Sequence, residues 1–240
     1  MKRILLASAI ALAFSAPAFA QSGLLGGWTG EASLTGSKTT GNTDTQDLGL
    51  GLKLNKAGDK WRHKFNALAD FGEVDGATNK ERYSFGYQID RDVSEKLYVY
   101  GNADYFKDEF GAFRDGYFLG TGLGYKMIVP DPIGWNLEGG LGYRSQREQL
   151  PSTDKSNELA VRGFSDFDYA LNEAVSLFND TEIIWSESDT YIWNEVGITA
   201  NLAGNLAARA SFRVDNHSDV PVGTKKTDTI TRFGIVYTMK

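Results

Sequence analysis

The residue types that carry most enzyme chemistry are scarce in this chain. It has two histidines and no cysteine, which excludes thiol nucleophiles, disulfide frameworks and cysteine-bound metals. His217 lies in Asn216-His217-Ser218-Asp219, a cluster that invites comparison with a lipase or deacylase. Nucleophilic catalysis needs a serine within hydrogen-bond reach of a base, and that base oriented by a third group. Side chains adjacent in a strand or loop point different ways, and such a run is ordinary loop composition. A protease reading needs acidic pairs beside a histidine, and only His217 could serve. No catalytic residue is therefore assigned. His63 falls on the apolar side of its segment. Asn42, Asp44 and Asp47, or Asp154, could approach calcium, but no spacing matches a dedicated calcium loop. The Gly-Leu-Gly runs at 49–51 and 122–124 precede no helix, so they read as strand alternation rather than a phosphate cradle. No metal or cofactor is expected.

What the chain has in quantity is charge at alternate positions. Arg62, Arg82, Glu138, Arg144, Arg162, Asp166, Asp180, Glu182, Arg209, Arg213, Asp228 and Arg232 each sit among polar residues or glycine on one side of an alternating segment. Glu31, Asp47, Lys53, Lys64, Asp70, Asp104 and Asp168 extend the set. Both signs are present, so if this face is enclosed the charges must pair or stay wet. A filled enclosure would be a plug, and a gapped one a small channel with a local field. The residue pattern leaves both open.

The elements that position these charges are short segments with every second residue apolar. Twelve are expected, near 28–38, 45–56, 60–71, 80–90, 97–107, 115–126, 134–144, 157–168, 175–186, 190–201, 205–215 and 227–239. In the second, Leu48, Leu50, Leu52 and Leu54 oppose Asp47, Gly49, Gly51 and Lys53. In the seventh, Trp135, Leu137, Leu141 and Tyr143 oppose Asn136, Glu138, Gly140 and Arg144. The fifth and ninth are less regular, with Tyr98, Tyr100, Phe106, Phe178 and Ile184 on the polar side. Links after even-numbered strands are tight. Links after odd-numbered ones are mostly longer and more polar, as at 72–79, 145–156 and 216–226. Trp28, Trp61, Trp135, Trp185 and Trp193, with Tyr125, Tyr143 and Tyr237, mark strand ends, where indole and phenol rings suit a headgroup level.

The start of the chain reads as an export signal: Met1-Lys2-Arg3, an apolar run to Phe14, and Ala18-Phe19-Ala20 as a cleavage site. Residues 1–20 are then a leader and 21–240 a single domain. No later run reaches the ~18 apolar residues of a membrane helix, a test that barrel strands escape because only alternate residues face lipid. The net charge of −6 comes without a basic tract, so no nucleic-acid partner is expected. Together these observations predict an all-β fold: an antiparallel transmembrane β-barrel of about twelve strands, of the Gram-negative outer-membrane type, with a greasy outside and a wet inside. A soluble β-sandwich also alternates, but its polar face tolerates lysine and glutamate freely. Here that face holds mostly glycine, serine, asparagine, aspartate and arginine.

The opening hairpin, Trp28-Thr-Gly-Glu-Ala-Ser-Leu-Thr-Gly36 followed by Thr40-Gly41-Asn42-Thr43-Asp44-Thr45 and the Leu48-Leu50-Leu52 alternation, resembles the DUF481 family, also described as YdiY-like, salt-induced outer-membrane proteins. The resemblance spans about 28–240. It implies an outer-membrane location and expression in high salt, and it brings no reaction, ligand or catalytic set. The ending Tyr237-Thr-Met-Lys240 departs from the terminal aromatic common in such barrels. The expectation is thus a non-enzymatic barrel for envelope or osmotic adaptation, with a narrow or plugged polar lumen and periplasmic termini. The alternatives are a small porin-like channel and, behind it, a lipid-processing enzyme. Expected partners are outer-membrane lipid and lipopolysaccharide, plus the barrel assembly machinery during biogenesis, around a monomer.

Overall fold

A computed structural model describes residues 26–39, 45–127, 131–150, 152 and 154–239. The leader at 1–20 and residues 40–44 of the opening hairpin lie outside these. The described chain forms twelve antiparallel strands: β1 (Thr29–Thr39), β2 (Thr45–Ala57), β3 (Trp61–Val74), β4 (Ala77–Asp92), β5 (Leu97–Asp108), β6 (Phe113–Met127), β7 (Ile133–Glu148), β8 (Lys155–Ala170), β9 (Val175–Ser186), β10 (Thr190–Ala203), β11 (Leu206–His217) and β12 (Thr227–Met239). Each strand pairs with its sequence neighbours, and β1 pairs with β12 from Gly30↔Met239 to Thr35↔Gly234. The sheet therefore closes on itself through this six-residue seam.

Alternation decides which side chains face out. Leu141, Leu159 and Phe233 are 67%, 81% and 62% exposed on the outer wall. The buried apolar residues Phe118, Ala160 and Ile184 cluster inside, with Tyr191 packed against them. A chain that exposes its leucines around a closed wall and hides its arginines is built for lipid outside.

The irregular positions of β5 and β9 also resolve inward. Tyr98, Tyr100 and Phe178 lie flat over glycines of neighbouring strands. A Cβ placed on Gly124 would come within 2.0 Å of the Tyr98 ring, and one on Gly197 within 2.4 Å of Phe178. Glycine is required there because a ring occupies the side-chain space.

Two expectations change. The segment at 72–79 is mostly strand: β3 runs to Val74 and β4 starts at Ala77, joined by Asp75 and Gly76 with φ of +49° and +77°. Two successive positive φ values make a tight hairpin turn whose twist matches the strands. The difference between the two rims is thus smaller than expected, because strand pairing continues into polar sequence. Trp193 also leaves the wall aromatics. It faces the lumen, donating from Nε1 to Glu182 Oε2 at 2.8 Å, with the Arg213 guanidinium 4.2 Å from its ring.

Candidate functional site

The lumen holds the side chains with functional potential, in tiers along its axis. The central tier is built on Glu138 of β7. Its Oε2 accepts from Arg162 Nη1 at 2.7 Å, and its Oε1 accepts from Gln88 Nε2 and Tyr98 Oη at 2.8 Å each. Lys64 approaches to 3.8 Å. Arg162 also holds Glu182 at 2.6 Å, and Glu182 takes the Trp193 bond. Beside them Asp90 binds Arg62 and Lys64 at 3.2 Å each, and Arg62 also pairs with Asp92. The participants come from β3, β4, β5, β7, β8, β9 and β10, so the tier spans the lumen. The side chains of Asp90 and Glu138 are 0% and 1% exposed. Both carboxylates are thus screened from water by their partners, while the Lys64 side chain beside them stays 35% exposed.

A second tier lies towards the rim opposite the termini. Asp215 of β11 receives Arg213 Nε and Nη2 at 3.0 and 2.8 Å, Tyr191 Oη at 2.5 Å, and Arg82 Nη1 at 3.4 Å from β4 across the barrel. Arg232 donates to Asp70 at 2.9 Å and lies 3.5 Å from Glu195. Fork-shaped guanidinium groups suit this role because each can serve two acceptors in fixed geometry.

At the far rim Asp189, between β9 and β10, gathers Arg144 Nη2 at 2.9 Å, His217 Nδ1 at 2.6 Å and Ser218 Oγ at 3.3 Å. Burial pushes this carboxyl up, but hydrogen bonding to His217 and the charges of His217 and Arg144 outweigh it and hold the group down at about 2. His217 stacks on Tyr191 with ring centroids 4.6 Å apart. The histidine and serine of the 216–219 run thus share one carboxylate. Ser218 Oγ is occupied as acceptor of the Thr190 amide at 2.7 Å. The arrangement is a clamp on two loops rather than an activated nucleophile.

Towards the termini the tiers give way to a polar chamber of about 540 Å³. Arg209 holds Glu31 through two bonds of 2.5 and 2.8 Å. Asp166, Asp168 and Asp180 line the chamber, with Lys53 3.7 Å from Asp180.

Of the charges expected to line the interior, Arg62, Arg82, Glu138, Arg162, Glu182, Arg213 and Arg232 meet in the two crossing tiers. Arg144 joins the rim clamp, and Arg209, Asp166 and Asp180 border the chamber. Asp228 stands exposed at the far mouth, opposite Asp215 in the register, outside the ion pairs found among the described residues. His63 lies on the outer wall, sharing a 2.7 Å hydrogen bond with Tyr87. Of the calcium candidates, Asn42 and Asp44 fall outside the described residues. Asp47 is taken by Lys80 at 2.7 Å, and Asp154 lies in the β7–β8 link. Asp90, Asp215 and Asp189 had not been singled out. The first two were legible, because Asp90 continues the Arg82-Ser84-Gly86-Gln88 parity and Asp215 the Arg209-Arg213 parity. Asp189 lies in a link and carried no such signal.

Fold and interior together define an outer-membrane-type barrel. Comparison with known proteins agrees at the level of fold. The chain is similar to the NanC porin at 11% identity, covering 87% of this chain and 98% of that one with a TM-score of 0.53. It is similar to an outer-membrane channel from Pseudomonas putida F1 at 10% identity, covering 88% and 93% with a TM-score of 0.52. Residues 32–239 match the family described as "Protein of unknown function, DUF481", and the chain belongs to that family. No curated protein matches it in sequence.

Proposed function

We propose that this protein is a non-enzymatic outer-membrane barrel with a lumen plugged at mid-height, inserted after removal of its leader with both termini in the periplasm, and serving envelope or osmotic adaptation. The observation that supports this most directly is the Glu138 tier, where donors from β4, β5 and β8 meet on a β7 carboxylate cut off from water. Such a crossing braces the wall, since the Gln88, Tyr98 and Lys64 contacts to Glu138 tie β4, β5 and β3 to β7, with which they share no backbone hydrogen bonds. Lipopolysaccharide and phospholipid would surround it, and the assembly machinery would place it there as a monomer.

Purified protein in planar bilayers is expected to give no steady conductance over a wide range of voltage and salt. Steady ohmic current would overturn the plug. The second reading, a small porin-like channel, is favoured by the chamber at the termini rim, which resembles one mouth of a pore. It predicts that current. The adaptation role predicts that cells lacking the protein grow more slowly than wild type in high-osmolarity medium, and equal growth would remove it.

A further inference from the structure

Cations inside the barrel and at the far rim are largely matched by carboxylates, but a strip on the outer wall at the termini rim is not. Lys56 ends β2 on the same outward parity as Leu52 and Leu54, and Arg91 lies near the end of β4 on the parity of Phe85 and Tyr87. Lys60 and Lys96 stand at the adjoining turns. None of these four has a carboxylate within 4.0 Å among the described residues. The neighbouring carboxylates of Asp90 and Asp92 point inward and are engaged by Arg62, Lys64 and Lys126. Asp59 and Glu95 are the acidic residues of the same turns, so the strip sets four cations against two anions.

Two of its cations rest on aromatic rings instead. Lys56 Nζ lies 6.0 Å from the Trp28 ring, and the Arg91 guanidinium lies 5.5 Å from Trp61, itself 47% exposed. The His63–Tyr87 pair sits beside them, since Lys56, His63 and Ile89 are successive register partners. From strand spacing, the Lys56 and Arg91 backbones are about 12 Å apart, close enough for two long side chains to converge on one headgroup. Indoles mark the headgroup level, and a cation on the wall at that depth is stable where it meets a lipid phosphate.

We propose that Lys56 and Arg91, flanked by Trp28, Trp61 and His63, form a binding site for an anionic glycerophospholipid, gripped at its phosphate. The site rests on the membrane placement and periplasmic termini proposed above, which put this rim in the phospholipid leaflet. The test is native mass spectrometry of the full chain released from nanodiscs containing phosphatidylglycerol, phosphatidylethanolamine or lipid A. Retention of phosphatidylglycerol is expected, with at least a five-fold loss in a Lys56→Gln/Arg91→Gln variant and little change in Arg147→Gln at the other rim. Equal retention of all three lipids, preference for lipid A, or indifference to the double substitution would each overturn the site. Circular dichroism establishes that the variant is folded, and the single substitutions should each give a partial loss. A protein that never enters the nanodisc would instead refute the membrane placement itself.

Discussion

At mid-height Glu138 receives hydrogen bonds from Arg162, Gln88 and Tyr98 and loses contact with water. Nearer the termini, among the described residues, Asp180 has Lys53 at 3.7 Å as its one ion-pair partner, and that lysine side chain is 56% exposed. Both places are lumen faces of the same sheet, and both carry carboxylates. They differ in what the opposing wall supplies. The middle has arginines whose planar forks satisfy two acceptors, along with tyrosine and tryptophan donors and rings that lie over glycine. The chamber has three aspartates, one exposed lysine, and Arg209, which is already committed to Glu31. A lumen carboxylate is shielded from water only where donors match acceptors in number and reach. Otherwise water does the solvating and the space stays open.

The sharpest way to break this contrast is Glu138→Ala. It leaves the buried Arg162 with Glu182 alone and strands the Gln88 and Tyr98 donors, and loss of one member of a buried ion pair typically costs about 3–5 kcal/mol. Urea unfolding in lipid vesicles is expected to shift by that order relative to wild type, and a shift near zero would mean the tier is not bracing the wall. Acid should act on the rim clamp next. The Asp189 carboxyl is held down at about 2 in the folded chain, against an ordinary 3.8. Its contribution is thus fully present above about pH 4 and is lost as pH falls through about 2, worth on the order of 2 kcal/mol. Protease cleavage in the 187–189 and 218–226 links should rise across that window, and Asp189→Asn should cleave readily at neutral pH. The smallest effect belongs to the chamber. Lys53→Gln is expected to change stability by less than about 1 kcal/mol, as for exposed ion pairs. A loss comparable to that of Glu138→Ala, in the same unfolding experiment, would erase the distinction between the two regions.

Much of the architecture was readable because a strand has a period of two. Leu48 to Leu54, or Phe233 and Ile235, can serve only one face, and a wall of twelve such segments has one self-consistent closure. The aromatics on the polar side of β5 and β9 were harder to read. Their explanation lies on other strands, in Gly122, Gly124 and Gly197, where the missing side chain makes room for a ring. Trp193 was misplaced for a related reason: an aromatic near a strand end suits a headgroup level as well as a lumen, and only its bond to Glu182 separates the two. The 72–79 segment looked like a loop because its residues are polar, yet polar residues pair along their backbones equally well once the turn at Asp75-Gly76 fixes the register.

By itself, the sequence determined the strand number, the shared polar face of charges such as Glu138, Arg162 and Arg213, and the poverty of catalytic groups, because each depends on residue type and local periodicity. The tertiary structure alone decided which charges meet. Arg82 and Asp215 lie 133 positions apart, and Arg232 and Asp70 lie 162 apart. Whether their tips touch depends on the register and tilt accumulated around the whole barrel, which no single strand encodes. The same geometry gathered donors around Glu138 and left a chamber nearer the termini.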